Sequence, residues 1–287
     1  MLGPRHVPTK CRIPTQTAIQ TVVRKMTEST LLSRFYVASD DLLRKIMIGA
    51  EAIYEGLWLG LLDNRHLDEA GRLKYASWKK FSEDAYNLSG LECWEESALT
   101  RHYKKESAVL LAAAGGGREA VALARLGFNV YAFESTPGLA KACSDLIERL
   151  QLQVRVETAA PGCAPESLSS YEGIIIGWGA YMHIPGRSNR VRFLQSLRTH
   201  VEPGAPLLMS FLCRNDRTRR HTWIFNIAQL IRRTRRCQDA VDYGDALCET
   251  FDHHFTEHEI RDELSEGGFS LREYHKTPYG NAVAYAT

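Results

Sequence analysis

A glycine-rich turn with an acidic residue downstream is the clearest sign of chemistry in this sequence. Gly115, Gly117 and Ala120 fit the spacing G-x-G-x-x-G/A, and Glu134 follows about 20 residues after the turn begins. Glycines let the backbone approach a ligand closely, and a carboxylate after the next strand can accept both hydroxyls of a ribose. The pattern predicts a nucleotide-containing ligand and leaves its identity open, because nicotinamide and flavin cofactors use the same spacing.

An arginine-rich segment is the second candidate for ligand binding. Residues 214–236 contain eight arginines, placed on both sides of an apolar helical face. They are either solvated residues that complement the helix dipole or a clamp for an anionic group, for which we select Arg232 and Arg233. RNA is a weaker alternative, since the sequence has no recognisable RNA-binding module.

Aromatic residues are dense between Tyr75 and Tyr103. Most of these rings are expected in the core, but aromatic helices just before a nucleotide-binding unit often form a lid over the ligand. We select Tyr86, Trp94 and Glu95 as the residues that face the substrate.

Three histidines near the C-terminus raise the question of a metal site. His254 and His258 have the i, i+4 spacing of one helical face, and His253 lies beside them. No matching cluster of further ligands is present, and His254 precedes the predicted helix cap. We therefore predict no metal.

The glycine turn is placed by a strand before it and a helix after it. The apolar run Val109–Ala114 is too short for a helix and meets three glycines, which predicts a buried strand entering a tight turn. Apolar residues recur at helical spacing from Arg118 until Gly127. Phe128–Phe133 is predicted to be the second strand, with Glu134 at its end.

Strands and helices alternate through the rest of the chain. Further strands are predicted at Val154–Glu157, Gly173–Gly177, Pro206–Leu212, Ser270–His275 and Asn281–Ala286, and helices at Pro137–Leu150, Arg190–His200 and Glu257–Ser265. This alternation predicts a mostly parallel sheet with helices on both faces. The last two strands are joined by a turn with Pro278 and Gly280, which predicts a closing antiparallel hairpin.

Composition places the chain among ordinary globular proteins. It has 287 residues, 44% hydrophobic and 24% charged, with a net charge of +2, so the total charge implies no attraction to nucleic acid or membrane. No apolar run reaches the roughly 18 residues needed to span a bilayer, and the N-terminus has no signal-peptide core. The seven cysteines are scattered and form no C-x-x-C pair, which indicates reduced thiols and a cytoplasmic protein.

Three regions are predicted along the chain. Residues 1–30 contain three prolines among polar and basic residues and are expected to form a flexible arm. Residues 31–105 begin with a long apolar helical stripe and are expected to form a helical cap. Residues 106–287 form the nucleotide-binding domain, with an insert at 214–251.

Residues 108–287 together resemble the class I S-adenosylmethionine-dependent methyltransferase superfamily. The resemblance is carried by the AAAGGGREA turn, Glu134, and the stretches IIIGWGAYMHI, VEPGAPLLMSF and HHFTEHEI. It implies a Rossmann-like α/β fold with a seven-stranded sheet ending in the hairpin. A nicotinamide fold would more usually continue into further parallel strands or a second domain, so the order of elements favours S-adenosylmethionine.

The resemblance also implies a set of cofactor-binding residues. They are Ala113, Gly115, Gly117, Glu134, Ser135, Ala160, Gly177 and Trp178. The glycine turn would lie under the methionine moiety, Glu134 would bind the ribose, Ala160 would lie near the adenine, and Trp178 would line the wall beside the sulfonium. The chain departs from the family at Leu111, Ala113 and Ala160, where the family commonly has an acid, a glycine and an acid.

Methyl transfer from a sulfonium is an in-line displacement, so an enzyme mainly has to align donor and nucleophile and exclude water. A base helps when the acceptor is a hydroxyl or an ammonium group. His183 is the candidate base, and Tyr181 is the candidate for positioning the acceptor. The alternative is that this histidine packs or caps the following helix.

The sequence therefore predicts a methyltransferase that moves a methyl group to an oxygen or nitrogen atom of a small-molecule acceptor, with an anionic acceptor as the alternative that the arginine clamp would imply. Neither membrane association nor nucleic-acid binding is expected. Two alternatives stay open: an NAD(P)-dependent oxidoreductase, for which the glycine spacing speaks, and a non-catalytic interaction module. The second rests on the departures at Leu111, Ala113 and Ala160.

Overall fold

The computed structural model describes residues 30–165, 170–215 and 217–287, which contain nine α-helices and nine β-strands. The helices are α1 (Leu31–Leu61), α2 (Asn64–Ser77), α3 (Asp84–Asn87), α4 (Cys93–His102), α5 (Arg118–Arg125), α6 (Pro137–Arg149), α7 (Arg187–Arg198), α8 (Arg219–Arg235) and α9 (Glu257–Glu266). Short 3₁₀ helices lie at Lys79–Ser82 and Ala180–His183. The predicted flexible arm falls almost wholly on residues 1–29, outside the described residues.

The strands form one sheet. They are β1 (Ala108–Ala112), β2 (Asn129–Glu134), β3 (Val154–Thr158), β4 (Gly173–Ile176), β5 (Pro206–Cys213), β6 (Asp245–Leu247), β7 (Phe251–Phe255), β8 (Phe269–His275) and β9 (Gly280–Ala286). Strands β3, β2, β1, β4 and β5 lie side by side in that order and are parallel. Strand β9 is antiparallel to β5 and to β8. The predicted mostly parallel sheet with a C-terminal hairpin is confirmed.

Alternate residues of the central strands point into two separate cores, as the pleat of a strand requires. Leu110 and Ile174 pack with α7 and α9 on one face, whereas Leu111 and Ile175 pack with α4, α5 and α6 on the other. Because both faces are covered, the strands read as continuous apolar runs. The predicted placement of helices on both faces is also confirmed.

Two short strands extend the sheet beyond the seven that were predicted. Leu212 and Cys213 at the end of β5 pair with His254 and Phe255 of β7, and β6 pairs antiparallel with β7. The prediction missed β7 because its sequence, FDHHF, places three polar residues between two phenylalanines. Asp252 and His253 are nevertheless buried, since other polar groups of the chain surround them.

Compactness divides the chain into residues 1–50 and residues 51–287, with the boundary inside α1. In the second unit, Leu59 of α1, Leu67 of α2 and Ile224 of α8 belong to a third apolar cluster. The domain limits drawn from the sequence at 30 and 105 stay predictions. No helix among the described residues combines the length and the apolar character that a membrane crossing needs.

Candidate functional site

A cavity opens at the carboxyl ends of β1, β2 and β4, where a parallel sheet normally binds its ligand. It holds about 1260 Å³ of space, including its mouth. Its floor comes from Ala113–Gly116, Phe133–Thr136 and Ala160–Cys163, and one side from Trp178, Ala180, His183 and Ile184. Helix α2 contributes Leu67, Asp68, Gly71, Arg72 and Tyr75, which share one helical face.

The turn after β1 brings backbone to the cavity surface. Ala113 and Gly115 both have φ of +56°, in the left-handed region that favours glycine. A Cβ on Gly116 would lie 1.8 Å from the carbonyl oxygen of Phe81, so the cap segment packs directly on the turn. Ala113 thus adopts a backbone conformation that glycine usually takes.

Glu134 is joined to that turn. Its Oε2 accepts a hydrogen bond from Gly115 N–H at 2.9 Å, and its Oε1 accepts one from Thr136 N–H at 2.7 Å. The side chain lines the cavity although the residue is only 6% exposed. Oε1 also accepts a hydrogen bond from Ser135 Oγ at 3.4 Å. Because Oε2 keeps a second lone pair, Glu134 can hold the turn and also accept a hydrogen bond from a ligand.

Two predicted cofactor residues lie behind the cavity wall. A Cβ on Gly117 would lie 3.0 Å from Cys143 Sγ, and a Cβ on Gly177 would lie 2.2 Å from the carbonyl oxygen of Ala113. These glycines let neighbouring backbone pack closely and do not line the cavity. Ser135, Ala160 and Trp178 do line it.

Asn87 contributes an unused hydrogen-bond acceptor. The residue is 2% exposed, its amide Nδ2 donates to the carbonyl oxygen of Phe81 at 3.1 Å, and its Oδ1 has no hydrogen-bond partner among the described residues. It lines the cavity next to Gly116. A buried, unpaired oxygen is unfavourable, so a ligand N–H or O–H at this place would be bound well.

A buried ion network supports the floor. Arg118 donates to both carboxylate oxygens of Glu95, at 2.8 and 2.9 Å, and to Glu119 Oε1 at 2.8 Å. Glu119 Oε1 also accepts from Trp178 N–H at 2.9 Å. The network connects α4, α5 and the loop after β4, and it occupies Glu95 fully.

The prediction that Glu95 and Trp94 face the substrate is therefore corrected. Glu95 forms a buried ion pair with Arg118, and Trp94 packs against the core formed with α5 and α6. Neither residue lines the cavity, whereas Tyr86 does. Tyr86 stands edge-on to Phe81, with ring centres 5.2 Å apart.

His183 lies at the cavity wall between two polar partners. Its Nδ1 is 2.8 Å from Asp252 Oδ1 and 2.9 Å from the carbonyl oxygen of Phe251. Its Nε2 is 2.7 Å from the hydroxyl of Tyr75. Burial, and next the charge of Asp252, raise the pKa of Tyr75, so this hydroxyl stays protonated at neutral pH.

Tyr181 is placed away from the cavity, which corrects its predicted role. The residue is completely buried, its hydroxyl donates to Glu263 Oε2 at 2.6 Å, and Glu263 is paired with Arg190. Burial raises the pKa of Tyr181 well above its usual range. This tyrosine therefore joins α9 to the core.

The arginine clamp is also corrected. Arg232 is buried and donates to the carbonyl oxygens of Leu59 and Leu62, at 2.9 and 2.7 Å, which satisfies the C-terminal end of α1. Arg233 is exposed on the same helix, and neither arginine lines the cavity. Among the described residues, Arg72 and Arg118 are the arginines that line it.

Asp242, Asp245 and His253 bring possible ligand atoms together within 4.8 Å, away from the cavity. Asp245 Oδ1 is 2.7 Å from His253 Nδ1, and Arg190 Nη2 is 3.3 Å from Asp242 Oδ2. Because Arg190 already contacts Asp242 and His253 already contacts Asp245, we assign no metal to this group.

Solved structures share this architecture. A SAM-dependent methyltransferase from Methanosarcina mazei matches with a TM-score of 0.52 at 15% identity, covering 69% of this chain and 98% of the other. The chain has the class I S-adenosylmethionine-dependent methyltransferase fold. No family model matches the sequence, and no curated protein matches it.

Two further solved structures of this fold match with TM-scores of 0.55. The 1,6-didemethyltoxoflavin-N1-methyltransferase of Burkholderia thailandensis, solved with its acceptor and S-adenosylhomocysteine, is 16% identical and covers 76% of this chain and 88% of its own. The CcbJ methyltransferase of Streptomyces caelestis is 14% identical and covers 75% of this chain and 98% of its own.

The sequence analysis did not select several residues that lie at or near the cavity, among them Tyr75, Asn87, Arg72 and Asp252. Tyr75 and Asn87 lie in the aromatic stretch and its turn. The sequence indicated that this region faces the ligand but not that these two residues do. Asp252 belongs to β7, the strand that the sequence analysis missed. Asp252 could be recognised as a partner of His183 only if β7 had been predicted.

Proposed function

We propose that the chain binds S-adenosylmethionine in this cavity and transfers its methyl group to an oxygen or nitrogen atom of a small-molecule acceptor. The observation that carries the proposal is the Glu134 carboxylate held on the glycine turn, inside a cavity that also presents His183. The methyltransferase fold supports the same cofactor.

The residues of the cavity fit this cofactor in two ways. Oε2 of Glu134 keeps a lone pair free for a hydroxyl of a ribose, and Asn87 Oδ1 is a buried acceptor that lacks a partner among the described residues. Asn87 lies against the glycine turn, so we assign it to the ammonium group of the methionine moiety. Ala160 to Cys163 would flank the adenine.

When bound, S-adenosylmethionine supplies an electrophilic methyl group on a positively charged sulfur. The chain has to hold an acceptor in line with that group, keep water out, and take a proton where the acceptor has one to lose. Trp178 and the apolar residues of α2 exclude water in this proposal, and His183 takes the proton.

The acceptor is proposed to be small because α2 forms part of the wall and limits the space. Arg72 replaces the pair Arg232 and Arg233 as the cation for an anionic acceptor group. Its Nε donates to Asp68 Oδ2 at 3.1 Å, and burial raises the pKa of Asp68. A cytoplasmic location also stays a proposal, supported by the six free cysteines among the described residues.

Formation of S-adenosylhomocysteine tests the activity directly. The protein would be incubated with S-adenosylmethionine and sets of phenols, alcohols and amines with and without a carboxylate, and the products analysed by mass spectrometry. We expect S-adenosylhomocysteine and a methylated product with at least one set. No turnover above the protein-free rate with any set would favour the non-catalytic alternative.

Alkylation of Cys163 tests the place of binding. Cys163 is exposed and lines the cavity, while Cys93 and Cys248 are exposed elsewhere. S-adenosylhomocysteine should slow the reaction of Cys163 with iodoacetamide and leave the other two unchanged. Equal rates with and without the ligand at Cys163 would place the cofactor elsewhere.

The oxidoreductase alternative shares the glycine spacing with the methyltransferase proposal. The antiparallel strands β8 and β9, which close the sheet next to β5, favour the methyl donor over a nicotinamide. NADH binding would revive the alternative.

A further inference from the structure

We propose that Asp252 and Tyr75 prepare His183 to act as the base at Nε2. Asp252 holds the ring proton on Nδ1, and the hydroxyl of Tyr75 relays the proton of the methyl acceptor to Nε2. This inference rests on the proposed methyltransferase function. It concerns two residues from elements outside the nucleotide-binding half of the sheet: α2 and the added strand β7.

The contacts of Nδ1 determine where the neutral ring carries its proton. Nδ1 faces two atoms that can only accept hydrogen bonds, Oδ1 of Asp252 at 2.8 Å and the carbonyl oxygen of Phe251 at 2.9 Å. Thr250 Oγ1 lies farther away, at 3.5 Å. Nδ1 must therefore be the donor, and the lone pair of the neutral ring lies on Nε2.

The lone pair of Nε2 faces the hydroxyl of Tyr75, which lies at the cavity. The hydroxyl of Tyr75 is 2.7 Å away and can donate to Nε2 while its oxygen accepts a second hydrogen bond. Tyr75 and His183 both line the cavity, whereas Asp252 lies behind His183. The titratable groups that face Tyr75 besides these are Tyr86, Glu134 and Tyr279.

The proton path follows from this geometry. The acceptor atom bonds to the methyl carbon as the sulfur–carbon bond breaks, and the electron pair of that bond stays on sulfur. The acceptor's proton moves to the oxygen of Tyr75 as the proton of Tyr75 moves to Nε2. The resulting imidazolium is stabilised by the Asp252 carboxylate and later gives its proton to solvent. Tyr75 never has to exist as a free phenolate.

Nitrogen-15 NMR of the histidine rings tests the arrangement without an acceptor. The His183 signals are assigned by their disappearance in His183→Gln, among the ten histidines of the chain. In the wild-type protein we expect the neutral ring to carry its proton on Nδ1. A proton on Nε2 would overturn the proposal.

Two variants separate the partners. Asp252→Asn replaces the carboxylate that accepts the Nδ1 proton by a neutral amide, so the His183 Nδ1 resonance should shift while Nε2 keeps its contact with Tyr75. Tyr75→Phe should leave the proton on Nδ1 and shift the Nε2 resonance, because Nε2 loses its donor. An unmoved Nδ1 resonance in Asp252→Asn, or an unmoved Nε2 resonance in Tyr75→Phe, would contradict the assigned roles.

Chemical rescue provides the matched control. In Tyr75→Ala, added phenol should restore the wild-type Nε2 resonance, whereas benzene fills the same space without a hydroxyl and should not. If both compounds act alike, Tyr75 is only a packing residue. Calorimetric binding of S-adenosylhomocysteine to the same samples reports on the proposed function separately, since loss of ligand binding leaves the ring measurement intact.

Discussion

The backbone N–H of Gly115 donates to Glu134 Oε2 over 2.9 Å, so the glycine turn and the acid after β2 form one hydrogen-bonded unit. A ligand that binds the glycine turn therefore also contacts Glu134. Gly115 and Glu134 both line the cavity, and Phe81 and Asn87 pack against Gly116 in the same turn.

Replacement of Glu134 should weaken binding of the adenosyl ligand. Hydrogen bonds to a charged group are worth about 1.5–3 kcal/mol each, so Glu134→Ala should raise the Kd roughly 10- to 100-fold or more. Glu134→Gln keeps one acceptor oxygen and should lose less. Isothermal titration with S-adenosylhomocysteine measures both variants, and an unchanged Kd in Glu134→Ala would remove this residue from the site.

Asn87→Ala should lower affinity for the cofactor much more than it lowers stability. In the part of the chain that the structure describes, the side-chain amide makes a single hydrogen bond, to Phe81, and its Oδ1 is available to the ligand ammonium. We expect the Kd of S-adenosylhomocysteine to rise roughly tenfold. If the melting temperature falls but the Kd is unchanged, Asn87 only stabilises the packing of its segment on the glycine turn.

Arg118→Met should strongly destabilise the fold. It leaves Glu95 and Glu119 buried without their cation, a change that typically lowers the free energy of unfolding by about 3–5 kcal/mol. Arg125→Met, at an exposed position of the same helix, should change it by less than about 0.5 kcal/mol. Urea unfolding of both variants makes the comparison, and equal losses would contradict the network's role.

Stability should fall when the pH is lowered below about 6.5. Burial, and next the neighbouring His254, lower the pKa of His221 from 6.5 to about 4. The unfolded chain therefore binds this proton first, and unfolding is favoured increasingly from pH 6.5 down to about 4. In His221→Gln the urea midpoint should fall less over that interval than in the wild type. Equal slopes would show that His221 does not contribute.

The sheet and the cofactor half of the site were predictable from the sequence because both rest on short-range signals. A six-residue apolar run before three glycines, and Glu134 after the next apolar run, leave few alternatives for the backbone. The substrate half was not predictable in the same way. Tyr75 and Asp252 meet at His183 from positions 108 and 69 residues away in sequence, and no local pattern encodes that meeting.

Charged residues were the least predictable, because burial decides what they do. Arg232 and Glu95 look like exposed binding groups in the sequence, but one satisfies carbonyl oxygens at the end of α1 and the other is paired with Arg118. Only the tertiary fold shows that these groups are already fully engaged.

Calorimetric titration of the purified protein with S-adenosylmethionine, S-adenosylhomocysteine and NADH tests the central claim most directly. We predict micromolar binding of both adenosyl ligands, corresponding to about −8 kcal/mol, and no binding of NADH. Binding of NADH alone would contradict the methyltransferase assignment in favour of an oxidoreductase. Binding of none of the three would contradict any cofactor-dependent function and favour a non-catalytic protein with this fold.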